Sequence, residues 1–138
     1  MDEFLVPSAN GRGGLHFYNR TPYESDKSIE HYMVRLTDHD LSAVAKVWGG
    51  YASQHPAGLF EEMARQWSGW LDELSWESLE GEMVLRCSHD RLGHISIRTV
   101  LRSGPMEYDW EVAATVMAEA GQLEDLARRA RAFFGPSD

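Results

Sequence analysis

Alternation of apolar and polar residues along the chain predicts most of its strands. Residues 29–36 alternate between two sides, one of them apolar, which is typical of a strand with one buried face. Residues 42–48 form a β-branched and aromatic run. A short apolar stretch at residues 15–18 predicts an earlier edge strand, followed by a loop over residues 22–28. We therefore expect three strands before the first helix.

A second set of alternating runs predicts a hairpin and one further strand. Residues 83–88 and 95–102 both alternate, and the short segment 89–93 between them contains Asp and Gly, as hairpin turns commonly do. Residues 108–116 alternate again after a Ser-Gly-Pro turn. This half of the chain should therefore contribute three more strands.

Two helices are predicted from apolar residues at the helical period. The first opens at Pro56, and the last begins at Gly121 and ends at Gly135 and Pro136. The apolar stripe of the first helix consists of Phe60, Met63, Ala64, Trp67 and Leu71. The stripe of the last helix consists of Leu123, Leu126, Ala127, Ala130 and Phe134.

The resulting order, β-β-β-α-β-β-β-α, predicts an α+β fold. We expect an antiparallel sheet of about five to six strands with two amphipathic helices packed on one face. A chain of 138 residues has the common size of one domain. Residues 1–138 are therefore predicted to form a single domain, in which residues 1–28 are loosely ordered.

Composition indicates which cellular compartment and which kinds of site are compatible with the chain. A single cysteine, Cys87, excludes an internal disulfide and a multi-thiolate metal site, and its place on the apolar side of a strand predicts a core thiol. The N-terminal residues 1–3 are acidic, unlike a secretory signal, and no apolar run approaches the roughly 20 residues that span a bilayer. We expect a cytoplasmic protein that does not associate with a membrane and binds no cofactor.

The net charge of −9 bears on the class of partner. Nucleic acids and anionic lipids are repelled by such a charge, whereas a basic protein surface or a cationic ligand is attracted. A net charge of this size is also explained by the need to keep the protein soluble, without any partner. The composition thus favours a basic protein partner over nucleic acid, without requiring one.

Acidic residues concentrate between Glu61 and Glu82, where seven acids stand against one base, Arg65. Acids beside tryptophans are typical of a surface that docks a basic protein, because aromatics supply binding energy and charges speed encounter. A solvated helix face and loop explain the same acids. Trp67 lies on the predicted helix stripe and is expected in the core. The predicted partner-binding residues are Trp70, Asp72, Glu73, Trp76, Glu77 and Glu80.

An alternative polar site lies on the predicted hairpin. Strand parity places His89 on the core face and His94 on the opposite face, so the two imidazoles cannot share one metal ion. Asp90 and His94 share a face and could form a polar pair, although a turn residue and its cap are the better explanation of this segment. Arg86 and Arg98 could bind an anionic group beside them. We expect no metal site.

Several spaced motifs resemble a small bacterial family of unknown function with W-x-G-W and H-D-x-x-G-H-[VI] motifs. The resemblance covers roughly residues 30–134, and the family has no established catalytic residues. Its members look like immunity proteins from polymorphic toxin systems. The segments that carry the resemblance are Trp67-Ser68-Gly69-Trp70, residues 76–80, residues 89–95, Leu101-Arg102, Trp110 and residues 120–123.

Three functional hypotheses follow. The first is a non-enzymatic, immunity-type protein that neutralises a basic toxin through its acidic, Trp-flanked face. The second is an enzyme or small-ligand binder that uses the hairpin's polar face. The third is a homodimer that pairs through exposed tryptophans and an uncovered edge strand.

Overall fold

Four antiparallel strands form the first sheet in chain order. The computed structural model of the protein describes residues 2–23, 29–49 and 55–135. The sheet runs in the order β1-β2-β3-β4. Its strands are β1 (Glu3–Pro7), β2 (Gly14–Pro22), β3 (Ile29–Asp38) and β4 (Leu41–Trp48).

A second antiparallel sheet follows the first helix, α1 (Ala57–Arg65). Its order is β5-β6-β7-β8, so β5 and β8 lie at its edges. The strands are β5 (Leu74–Glu77), β6 (Met83–His89), β7 (His94–Arg102) and β8 (Glu111–Glu119). A single 3₁₀ turn at Ala120–Gln122 then leads into α2 (Leu123–Phe134).

Both sheets bury one face, and the two buried faces meet the helices in one core. The alternation along β3 and β7 reappears as alternating burial, because successive side chains point to opposite sides of a strand. The helices pack against each other, and α2 also reaches β1. Aromatic rings dominate the centre of the first sheet's core: Phe4, Phe17, Tyr32, Phe60 and Phe134.

The α+β class is confirmed, but the single sheet of five to six strands is wrong. The prediction lacks two short strands, β1 and β5, because runs of only five and four residues give a weak alternation signal. The chain leaves β4, forms α1, and returns as β5, which pairs with β6 instead of β4. The order is therefore β-β-β-β-α-β-β-β-β-α in the part of the chain that the structure describes.

The predicted bounds fail where a pattern continues past the end of an element. Helix α1 ends at Arg65, so Trp67 and Leu71 leave the predicted stripe. Strand β8 begins at Glu111, which leaves Tyr108 and Trp110 in the preceding loop. Residues 3–7 and 14–22 lie in strands, whereas the pattern predicts only residues 15–18, and residues 24–28 of the predicted loop lie outside the described residues.

A buried carboxylate connects the two sheets. Glu82 is only 7% exposed at the start of β6, and its Oε2 accepts a hydrogen bond of 3.0 Å from the backbone N–H of Trp48 at the end of β4. Its Oε1 accepts a bond of 2.8 Å from the Ser78 hydroxyl, whose oxygen in turn accepts one from the Met83 N–H. The end of the first sheet is thereby tied to the start of the second.

We expect Glu82→Gln to lower the free energy of unfolding by about 2 kcal/mol, because hydrogen bonds to a buried charge are worth about 1.5–3 kcal/mol and an amide nitrogen cannot accept one. Urea denaturation measures the change. The matched control is Glu80→Gln at an exposed neighbouring position, which should stay within about 0.5 kcal/mol of the parent. Equal stability of both variants would show that Glu82 does not join the sheets.

Candidate functional site

Four of the seven acids between Glu61 and Glu82 remain free at the surface. Glu61 accepts a hydrogen bond of 2.8 Å from Arg131 Nε, Glu62 pairs with Arg65, and Glu82 is buried. The other four are exposed and form no hydrogen bond or ion pair with the described residues, namely Asp72, Glu73, Glu77 and Glu80. They lie on and around β5, at the edge of the second sheet.

Trp67 and Trp70 take different places from those expected. Trp70 is 5% exposed, and its indole N–H donates a hydrogen bond of 3.0 Å to the Cys87 carbonyl, so its ring is not part of the surface. Trp76 is half-buried opposite Leu85 of β6. Trp67 is 62% exposed, and its predicted place in the core is wrong. The exposed aromatic ring of this region is therefore that of Trp67.

The loop that carries Trp67 rests on the β6–β7 hairpin. His89 Nε2 lies 2.9 Å from the Trp67 carbonyl oxygen and donates to it, while His89 Nδ1 accepts a bond of 2.8 Å from the Arg91 N–H. Only the neutral imidazole with its proton on Nε2 makes both bonds. The Trp70 ring meets the His89 ring edge-on at 4.9 Å. Strand parity is confirmed, because His89 turns to this inner side and His94 to solvent.

Gly69 allows the chain to turn between the two tryptophans. Its φ of 139° lies in a region that side chains rarely adopt, and a Cβ there would approach Arg91 Cγ to 3.0 Å. Trp67 and Trp70 therefore point to different surroundings, although they are only three residues apart.

A surface cleft of about 530 Å³ opens beside Trp67. The end of α1 and the 3₁₀ turn before α2 supply its other walls, and the Ala120 N–H donates a bond of 2.9 Å to the Gly93 carbonyl of the hairpin. Trp67 of the W-x-G-W loop and the turn at Ala120 and Gly121 therefore meet at this cleft, and the hairpin is hydrogen-bonded to both segments. Its lining consists of Ala64, Arg65, Trp67, Ala120, Gly121 and Glu124.

The alternative polar site divides into two separate pairs. His94 Nδ1 lies 2.6 Å from Asp90 Oδ2, while Asp90 Oδ1 accepts the N–H groups of Leu92 and His94. Arg86 and Arg98 face each other across β6 and β7. Four residues along each strand separate the pairs by about 13 Å. Two further cavities lie elsewhere, so neither pair lines a described cavity.

Comparison with protein families identifies the family of the chain. A family of unknown function, DUF6228, matches residues 6–137 of the chain. The chain belongs to this family. No curated protein and no solved structure matches it. Membership confirms the resemblance to a family of unknown function, and the likeness to immunity proteins stays a prediction.

The described residues also bear on metal binding, thiol chemistry and membrane insertion in this DUF6228 protein. Among the described residues, no group of three or more His, Cys, Asp and Glu side chains is arranged to hold a metal ion. Burial raises the pKa of the Cys87 thiol to about 12, so the expected core thiol is confirmed. No helix in the described ranges is both long and apolar enough to cross a membrane.

The cleft of the DUF6228 protein is the feature that sequence reasoning misses. Trp67 fits the helical stripe, so periodicity alone assigns it to the core. The signal that could have placed it is Gly69, because glycine within an apparent stripe marks a possible end of the helix. Gly121, which also lines the cleft, has no comparable signal in the sequence.

Asp90 should make stability depend on pH in the acid range. Partial desolvation opposes its ionisation, but the N–H groups of His94 and Leu92 and the His94 ring prevail and lower its pKa to about 2. A carboxyl depressed in this way stabilises the fold above its unfolded pKa of about 3.9 and loses that effect as pH falls through about 2. Asp90→Asn should therefore be less stable than the parent at pH 5–7, with the difference shrinking between about pH 4 and pH 2.

Urea midpoints measured from pH 7 to pH 2 test this expectation. Glu107→Gln, at an exposed loop position, serves as the control and should follow the parent at every pH. A deficit of Asp90→Asn that persists unchanged at pH 2 would contradict the assignment of the effect to ionised Asp90.

Proposed function

We propose that this DUF6228 protein is a non-enzymatic binding protein of the immunity type, with a basic protein as its partner. The observation that supports this function best is the exposed segment 67–80. It presents Trp67 and Leu71, which are 62% and 76% exposed, together with the four unpaired carboxylates. We call these six residues the acidic surface: Trp67, Leu71, Asp72, Glu73, Glu77 and Glu80.

The arrangement has the anatomy of a protein interface. Binding energy in interfaces concentrates in a few large side chains, most often Trp, Tyr and Arg, while a polar rim surrounds them. Trp67 suits the role of such an anchor because its loop is held on the hairpin by the His89 and Trp70 contacts. A loop whose backbone is held in place before binding loses little conformational freedom when a partner arrives.

The charge of the surface favours a basic partner. Four carboxylates that have no counter-ion among the described residues lie along one short stretch of a chain whose net charge is −9. Such a field accelerates encounter with a cationic protein and orients it on approach. Self-association through the β5 edge is less favourable, because a second copy would bring the exposed acids beside this edge, Glu73 and Glu77, near their own counterparts.

We expect Trp67→Ala to weaken partner binding at least tenfold, or about 1.4 kcal/mol, mainly by faster dissociation. Neutralising Asp72, Glu73, Glu77 and Glu80 together, as Asn or Gln, should instead slow association and flatten its dependence on salt. Partners captured from host lysate are first identified, and the rate constants are then measured by surface plasmon resonance at several ionic strengths.

The control is Trp110→Ala, a second exposed tryptophan in the loop at the other end of the β7–β8 pair. An immunity role further requires that the parent rescue cells expressing the partner, and that the Trp67→Ala and neutralised variants fail to do so. Unchanged kinetics in both variants, or a partner without toxicity, would refute the proposal.

A second candidate function is anion binding at Arg86 and Arg98. The two side chains are directly opposite on an exposed sheet face, and neither forms an ion pair or hydrogen bond with the described residues. Like charges in this position disfavour each other, and a dianion between them would relieve the repulsion.

We expect inorganic phosphate to raise the melting temperature of the parent, as ligands of the native state do. The double variant Arg86→Gln, Arg98→Gln should lose this response and be slightly more stable than the parent without phosphate. Arg12→Gln, at an exposed loop position, is the matched control. An equal phosphate response in the double variant would refute the site.

A further inference from the structure

We propose that the cleft beside Trp67 receives a lysine or arginine side chain of the partner. The indole face of Trp67 would contact the cation, and the Glu124 carboxylate would serve as its counter-ion. This inference rests on the proposed function, because it names the chemistry that the acidic surface recognises at its anchor.

The free charge in the cleft is negative. Arg65 lines the cleft, but its guanidinium is already paired with Glu62, through an Nε–Oε2 distance of 2.8 Å. Glu124 lines the same cleft and forms no hydrogen bond or ion pair with the described residues. Its neighbour Asp125 differs, because Arg128 and Arg129 both bind it. A ligand therefore meets one carboxylate that lacks a counter-ion.

The remaining walls suit the aliphatic stem of a long cationic side chain. Ala64, Ala120 and Gly121 line the same cleft as Trp67 and are small residues with little polar surface. Lysine and arginine bury their methylene stems along such surfaces while their charged ends reach polar groups. Cations over a tryptophan face are also attracted by the quadrupole of the ring, most strongly when water is excluded.

Gly121 is not explained by the fold itself. It is not among the described glycines with positive φ, and a Cβ at this position would meet no atom within 4 Å. Neither backbone conformation nor internal packing therefore requires glycine in this turn. Its absence of a side chain leaves the cleft open, which is what a site for an incoming side chain needs.

The positive end of the α2 dipole disfavours a cation in the cleft. Glu124 lies in the first turn of α2, where a helix favours anions. Arg128 and Arg129 neutralise the charge of Asp125, but the full unit charge of Glu124 alone still exceeds the roughly half-unit charge of the dipole. The local field should still attract a cation, and anionic side chains should be excluded.

Small-molecule probes test the cleft without the partner. The indole N–H resonance of Trp67, assigned with Trp67→Phe, is followed by NMR during titration with N-acetyl-arginine amide and N-acetyl-lysine amide. N-acetyl-leucine amide and N-acetyl-glutamate serve as neutral and anionic probes. We expect saturable millimolar binding of the two cations, at least fivefold weaker binding of leucine amide, and none of glutamate. The Trp110 resonance is the internal control.

Two variants test separately whether probe binding depends on the Glu124 charge and on the open volume at Gly121. Glu124→Gln should weaken the cationic probes at least fivefold and leave the leucine probe unchanged, while Glu107→Gln should have no effect. Gly121→Leu should block all probes because its side chain would occupy the cleft, and Gly121→Ala provides a smaller step. Circular dichroism verifies that each variant is folded. No saturable binding, equal binding of leucine and arginine amides, or an unaffected Glu124→Gln would each overturn the inference.

The experiments distinguish a failure of the cationic cleft from a failure of the proposed function. If Trp67→Ala weakens partner binding but Gly121→Leu leaves it unchanged, the partner does not use the cleft, so this inference is wrong and the proposed surface stands. If the probes bind as expected but Trp67→Ala and the neutralised variant both leave partner affinity unchanged, the proposed surface is wrong. If Trp67→Ala abolishes partner binding but no cationic probe binds, the surface stands and the cationic cleft is wrong.

Discussion

Glu82 places a carboxylate in the interior, between the end of β4 and the start of β6. A buried charge is strongly unfavourable unless its oxygens are hydrogen-bonded, so the Trp48 amide and the Ser78 hydroxyl must remain in place around it. This requirement fixes one sheet relative to the other. It also fixes the turn that follows β5, the edge strand around which the unpaired acids lie. The position of the acidic surface thus depends on a group that is itself hidden.

The exposed Trp67 depends on a second set of contacts, made by its own loop. The same short segment buries Trp70 under the hairpin and leaves Trp67 outside, because Gly69 turns the chain between them. The His89 ring then holds the Trp67 carbonyl from the core side of β6. Two rings that look equivalent in the sequence consequently have opposite roles, one fastening the loop and the other available for binding.

Local alternation was enough to predict the strands that are long and buried on one face. The β6–β7 hairpin, the opposite orientation of His89 and His94, and the core place of Cys87 all follow from a period of two. The split into two sheets could not be predicted in this way, because it depends on β5 pairing with β6 after α1. Strand β5 has only four residues within an acidic stretch, so its signal resembles that of a loop.

The candidate site was predicted in its charge but not in its geometry. Counting acids identifies residues 61–82. Only the structure shows that Glu61 and Glu62 already form ion pairs with Arg131 and Arg65. The cleft itself joins residues 64–67 to residues 120–124, which are more than fifty positions apart. No local pattern reports a contact of that range, and helical periodicity misleads at Trp67.

The lone thiol of the chain has a practical consequence. Only thiolates react readily with maleimide reagents, and Cys87 is fully buried with its pKa near 12, so it should stay unmodified in the native protein. A second cysteine introduced at an exposed tip, such as Leu92→Cys, would then be the single addressable position without removal of the native one. Fluorophores or spin labels could be attached there to follow the hairpin while the interior remains chemically untouched.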